Sequence, residues 1–316
     1  MQLIFFIKVK PIWNIFVSAF ILLGCNTINK TNKPLPNPEN GIYNIRLRNQ
    51  IMEVDPYSGA RIKSLKLDGR DFLTDSTVNN FNWGSTFWLS PQSNWNWPPS
   101  AEIDNKAYSV NIDNDQLIMT SPKDPKTGIV VKKLFSTNKK TGSFKLKYIL
   151  SNLSDQPQKV APWEVTRIHI NGLAFFPYGK GERRGGLAPF TTEKDGINWY
   201  QYRANQVPLK GDRQLYSDGA EGWLAAVNGD MILIKKFQDI PFEKNAPNEG
   251  EIEWYASPVV QGKSYVEIEH QGAYEELKPG ESVEWQVEWF LRKLPSTIKQ
   301  EEGSSALVNY VRTIVE

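Results

Sequence analysis

The 316-residue sequence holds one cysteine and two histidines. With a single thiol there is no disulfide framework, so the fold must rest on a buried core. The histidines, His169 and His270, lie far apart, and neither HExxH nor any other close His/carboxylate spacing is present. No metal site is therefore expected. Gly-rich loops in a strand–helix setting are missing too; Gly185-Gly186 lacks that context. No Rossmann or P-loop pattern follows, and no cofactor is expected. A GxSxG nucleophile elbow is likewise absent. Net charge is only +2, and Lys8 and Lys10 supply that excess. A phosphate-binding surface needs a basic stripe, so nucleic acid is not an expected partner. No repeat of propeller or solenoid period is evident.

What is present begins with an address. Lys8 and Lys10 precede an apolar run over residues 12–23, broken by Asn14 and Ser18 and ending Leu22-Leu23-Gly24-Cys25. The run is too short for a comfortable membrane span. It reads as a signal peptide over residues 1–24. Its last four residues resemble a bacterial lipobox, which implies lipidation at Cys25 and attachment to the membrane through that lipid. The alternative is an ordinary leader or anchor with an incidental cysteine. Residues 25–40 then form the lipidated Cys and a polar tether with three prolines. The expected location is the bacterial cell envelope, on the outer membrane and facing the periplasm; no acidic run of the kind linked with surface export follows Cys25.

Residues 41–294 read as one all-β domain, and residues 295–316 as a C-terminal helical segment. Period-two alternation recurs over 42–47, 50–54, 61–67, 107–112, 116–121, 129–136, 143–150, 223–227, 231–237, 265–269 and 282–292. Residues 282–292 put Val283, Trp285, Val287, Trp289 and Leu291 on one face and Glu284, Gln286, Glu288 and Arg292 on the other. Asp68-Gly69, Asn171-Gly172 and Asn228-Gly229 are hairpin-type pairs. Ser304-Ser305 can cap a short helix with Leu307, Tyr310, Val311 and Ile314 on one face. So many strands with so little helix predict two large antiparallel sheets packed face to face.

Three segments carry candidate chemistry. Residues 81–99, FNWGSTFWLSPQSNWNWPP, hold Trp83, Trp88, Trp95 and Trp97 among amide and hydroxyl side chains. Indole faces pack on the C–H faces of sugar rings while amides and carboxylates take hydroxyls, which makes a saccharide platform of this loop. The competing reading is that these tryptophans plug the end of a sandwich. In APWEVTRIHI, residues 161–170, a regular strand places Trp163, Val165, Arg167 and His169 on one face and Glu164, Thr166 and Ile168 on the other. Charges inside an apolar strand are costly unless paired; a Glu164–Arg167 pair across a bulge competes with a polar cluster facing a groove. In SYVEIEHQG, residues 264–272, Val266 and Ile268 point inward and Tyr265, Glu267 and Glu269 the other way. If that face lines a groove, either glutamate can serve as a general base. Glu182-Arg183-Arg184 reads as a mobile polar loop.

The segments WGSTFWLSPQSNWNWPP, APWEVTR and YVEIEHQGAYEELKPGESVEWQVEWFLR resemble a group of bacterial lipoproteins with a domain of unknown function, placed with galactose mutarotase-like proteins. Asn152-Leu153-Ser154-Asp155 through Val160 and Leu277-Lys278-Pro279-Gly280-Glu281-Ser282 resemble two further landmarks of the mutarotases. The resemblance implies a β-supersandwich with a saccharide groove on the concave face. Aldose mutarotases use a Glu to take the anomeric proton and a His to protonate the ring oxygen. By register that histidine falls near Trp163-Glu164, where this chain has none.

Three readings follow. The first is a lipid-anchored carbohydrate-binding protein, with Trp88, Trp95 and Trp97 stacking on sugar and Gln92, Glu164 and Arg167 hydrogen-bonding hydroxyls or a carboxylate. The second is an epimerase-type acid/base catalyst or glycoside hydrolase, with Glu267 or Glu269 as base and His169 or Glu164 as acid. The third is a non-catalytic structural lipoprotein.

Overall fold

The computed structural model describes residues 35–36 and 40–316. The signal segment, Cys25 and the rest of the tether up to residue 39 lie outside the described residues. The alternating segments build two antiparallel sheets, one of eleven strands and one of ten. Eight strands position the site: β1 Ser85–Ser90, β2 Ser143–Asn152, β3 Gln158–His169, β4 Gln214–Ser217, β5 Met231–Phe237, β6 Ile252–Ala256, β7 Tyr265–Gln271 and β8 Ser282–Lys293. The eleven-stranded sheet runs β1–β3–β7–β6–β4 at one end, and β5–β8–β2 lie side by side in the other sheet.

The sheets bury their facing sides against each other. Phe87, Ile268 and Trp254 from one sheet meet Leu146, Leu233, Val287 and Trp289 from the other in one core. Each such side chain contributes roughly 1.5–3 kcal/mol on burial. On β8 the alternation read from sequence holds, with Val287, Trp289 and Leu291 buried in the core. The helix Ser305–Val315 covers the outer face of the ten-stranded sheet. Leu307, Val308 and Val311 pack there with Phe175, Trp199 and Trp223. Ser304 caps the helix by accepting from the Leu307 N–H.

The predicted turns divide. Asp68 and Gly69 both have positive φ, 51° and 79°, as a type I′ hairpin turn requires. Asn228 pairs with Met231, so the second turn is centred on Gly229-Asp230, one residue later than read. Asn171-Gly172 is not a hairpin. It carries the chain from β3 to the strand Leu173–Pro177 in the other sheet. Gly172 is required there, because a Cβ would sit 2.0 Å from the Val227 carbonyl oxygen.

Candidate functional site

Strand β3 is paired on both sides, with β1 and β7, and is buried over most of its length. No bulge interrupts it between residues 163 and 169, so Glu164 and Arg167 emerge on opposite faces. The expected pair between them does not form.

The inward face carries Glu164. One of its oxygens accepts from Lys235 Nζ at 2.7 Å and from Trp289 Nε1 at 3.0 Å; the other accepts from the Tyr148 hydroxyl. Its side chain and that of Lys235 have no exposure. His270 approaches it at 3.8 Å, but burial and the Lys235 charge hold that imidazole well below the usual histidine range. His270 is therefore neutral and makes no ion pair. Glu164 thus sits between the sheets, and both roles expected for it, acid and hydroxyl ligand, are corrected: it ties the two sheets together away from any groove.

The outward face builds a cleft of about 310 Å³. Glu267 and Glu269 of β7, Tyr255 of β6 and Gln214 and Tyr216 of β4 form its floor, since they alternate with the core residues Ile268, Trp254 and Leu215. Trp88 and Trp163 form a wall, edge to face at 5.3 Å between ring centroids. Gln92 and Trp97 come over from the loop after β1. Trp97 is 52% exposed and packs edge-on against Phe81 and Trp88. Such edge-on aromatic pairs add about 0.5–1.5 kcal/mol each beyond their burial.

Arg167 anchors the floor. Its Nε lies 2.6 Å from Glu267, its Nη1 donates to Thr86 Oγ1 at 2.6 Å, and its Nη2 donates to Asn82 Oδ1 at 3.4 Å. The guanidinium also stands 5.0 Å from the centre of the Trp88 ring. Every nitrogen of Arg167 has a partner within the protein, which corrects its expected role in holding a carboxylated ligand. Arg183 and Arg184, read as part of a mobile loop, are likewise engaged, with Asn198 and with the Glu249 carbonyl.

The carboxyl groups differ in their compensation. Burial pushes Glu267 up, and Arg167 pulls it back. Glu269 is pushed well above the usual carboxylate range by burial and by its neighbour Glu267. One Glu269 oxygen accepts from Gln214 Nε2 at 3.0 Å; the other is buried without a partner. Behind it, Glu253 is also pushed well up, by burial and by Glu249 and Glu269. It accepts from Gly250 N–H and from the Gln271 and Gln214 amides. Burial thus favours the neutral form of Glu253 and Glu269, while at Glu267 Arg167 works against it.

Of the remaining expected residues, Trp95 is half-buried within the loop. Its Nε1 donates to the Leu89 carbonyl, and its ring packs against Trp88 and Trp163. His169 ends β3, paired with Tyr265, outside the residues that line the cleft. Gln214, Tyr216, Glu253 and Tyr255 were missed. Gln-Leu-Tyr-Ser and Ile-Glu-Trp-Tyr-Ala do alternate, but over only four and five residues.

The sequence from 42 to 292 matches the family described as Domain of unknown function (DUF4380). The chain belongs to this family. No curated protein matches the sequence. Among solved structures, this DUF4380 member is similar to a putative aldose 1-epimerase from Klebsiella pneumoniae, at 15% identity and a TM-score of 0.60, over 87% of this chain and 84% of that one. A galactose mutarotase-like protein from Lactobacillus casei aligns at 11% identity and a TM-score of 0.55, over 80% of this chain and 100% of that one. A TPR-domain containing protein from Parabacteroides distasonis aligns at 13% identity and a TM-score of 0.55; the match covers 80% of this chain and 47% of that one. These likenesses establish a galactose mutarotase-like fold.

Proposed function

We propose that this protein binds a saccharide in the cleft on the outer face of the eleven-stranded sheet, and that lipid at Cys25 holds it at the bacterial cell envelope. The observation that carries the reading is the exposed Trp97 ring standing over a floor of buried carboxyl and amide groups. An aromatic face for C–H groups beside convergent oxygen and nitrogen atoms for hydroxyls is the chemistry a sugar ring needs. Gln92, Asp212, Gln214 and Tyr216 add further polar groups to the lining. Saturation-transfer proton NMR of the full chain against pooled mono- and oligosaccharides tests this. Transfer to sugar protons, lost in Trp97→Ala, is expected; no transfer from any pool refutes it. The anchor is tested separately, by loss of the chain from the membrane fraction in Cys25→Ser.

One observation favours a second reading, a saccharide-active enzyme. Glu267 and Glu269 lie two residues apart on one face of β7, roughly 7 Å by the strand rise, in unlike settings. Burial pushes both up, but Arg167 opposes that at the first, while the charge of Glu267 adds to it at the second. Environments that separate two carboxyls in this way suit a base and an acid acting on one substrate. Neither histidine lines the cleft, so an acid here is Glu269. Proton NMR of the sugar pools decides: product signals or accelerated exchange between anomers, abolished in Glu267→Gln, mean catalysis, and binding with neither means binding alone.

A further inference from the structure

A second cavity lies beside the cleft at β4. Tyr216 lines the cleft and also lines this second cavity, of about 460 Å³, which opens between residues 182–184 and the loop 242–250. Both cavities have the volume of small-ligand sites, which begin at roughly 300 Å³. The second repeats the chemistry of the first. Phe242 is 46% exposed at its edge, as Trp97 is at the other. Beside it stand the buried Asp218 carboxyl and the Asn245 amide, whose Nδ2 faces Asp218 Oδ1 at 3.5 Å while its buried Oδ1 has no partner. The divide between the cavities is built firmly: Arg184 lies 4.5 Å from the Tyr216 ring centre and donates to the Glu249 carbonyl at 2.6 Å.

We propose that the cavity beside Phe242 is a second sugar subsite and that the ligand is a neutral oligosaccharide whose chain crosses Tyr216. The proposal rests on the saccharide reading of the first cleft and extends it to residues that reading does not use. Length follows from two ligand-sized cavities meeting at one residue. Neutrality follows from charge. Asp212 and Glu267 on one side and Glu182, Asp218 and Glu249 on the other outnumber Arg167 and Arg184, and each of these arginines is already bonded within the protein. An acidic chain would meet repulsion with no free cation to offset it.

The test is calorimetric titration of the full chain with mono-, di- and tetrasaccharides of the β-1,4-linked gluco, galacto and manno series, and with tetragalacturonate. In at least one neutral series affinity should rise about tenfold or more from one unit to four, the equivalent of about 1.4 kcal/mol. Phe242→Ala and, independently, Asn245→Ala should remove that rise and leave monosaccharide binding unchanged. Affinity independent of length, or a length gain that survives both variants, overturns the second subsite and leaves the first cleft standing. Tighter binding of tetragalacturonate than of galactotetraose overturns the neutral class. Failure of every series to bind overturns this proposal together with the saccharide reading on which it rests.

Discussion

Glu164 and Arg167 stand three residues apart on β3 and head two buried ion pairs on opposite faces of one sheet. The inner pair, Glu164–Lys235, has both side chains sealed and both carboxylate oxygens bonded, to a lysine, an indole and a phenol. The outer pair, Arg167–Glu267, borders a cleft, and two residues along β7 a carboxyl oxygen is buried with nothing bonded to it. Both pairs are charged groups in an apolar strand, so burial and charge alone do not separate structure from site. Completeness does. The inner pair's own atoms all have partners, and the two unpartnered His270 nitrogens beside it are sealed between the sheets; on the outer face the unpartnered atom belongs to a residue that lines a cavity.

The comparison breaks hardest at the inner pair. Lys235→Met leaves Glu164 buried without its cation, and the expected loss is about 3–5 kcal/mol of unfolding free energy by chemical denaturation. Adding Glu164→Gln should restore part of that loss, because the amide oxygen still accepts from Trp289 while no unpaired charge remains. A double variant as unstable as the single one would mean that packing, not charge, holds the sheets there.

Arg167→Met should cost less, about 2–3 kcal/mol at neutral pH, because Glu267 has a second escape. Burial already pushes its carboxyl up and only Arg167 opposes that. Without the arginine, Glu267 takes a proton and sheds its charge. A carboxyl raised in the folded state favours folding below the ordinary carboxylate range and loses that contribution as pH rises through its folded value. The Arg167→Met deficit should therefore shrink on moving from pH 8 to pH 5.

These differences were partly legible in the sequence. Alternation in APWEVTRIHI correctly separated Glu164 from Arg167, and alternation in SYVEIEHQG correctly placed Glu267 and Glu269 together on the face away from Val266 and Ile268. What alternation cannot say is which face meets the other sheet, because on β3 both faces are buried and both carry charge. Partners decide that, and Lys235 and Tyr148 come from the other sheet, distant in sequence. The cleft's β4 and β6 residues were illegible for a different reason. Those strands are too short for period two to rise above chance, and β4 sits at the end of the sheet order as an edge. The tryptophan loop was legible in composition only: the indoles divide into a packed Trp95 and an exposed Trp97 through contacts no spacing encodes.

A subtler test leaves both pairs intact and addresses the unpartnered oxygen. Glu269→Gln keeps an acceptor for the Gln214 amide and removes a titrating group that burial holds well above the usual range. In the parent chain that raised value makes stability fall as pH climbs above the ordinary carboxylate range, by up to about 1.4 kcal/mol per pH unit for the one proton involved. The variant should lose that component of the slope, read from denaturation midpoints between pH 5 and pH 8. An unchanged slope would show that Glu269 is ionised in the fold, and the contrast between a charged Glu267 and a neutral Glu269 would fall with it.

The smallest effect on stability is expected where the effect on binding is largest. Trp97 contacts Phe81 and Trp88 only edge-on, keeps half of its surface in solvent and donates no hydrogen bond from its indole. Trp97→Ala should therefore cost only about 1–2 kcal/mol of unfolding free energy, what two such edge-on pairs contribute, while saccharide signal in saturation-transfer NMR disappears. Trp95 supplies the control within the same loop: its indole N–H is bonded to Leu89 and its ring is packed between Trp88 and Trp163, so its loss must register first as instability. If Trp97→Ala instead destabilised the chain as strongly as Trp95→Ala, the exposed ring would be part of the loop's packing, and the rule that unfinished contacts mark the site would fail at the residue where it is easiest to see.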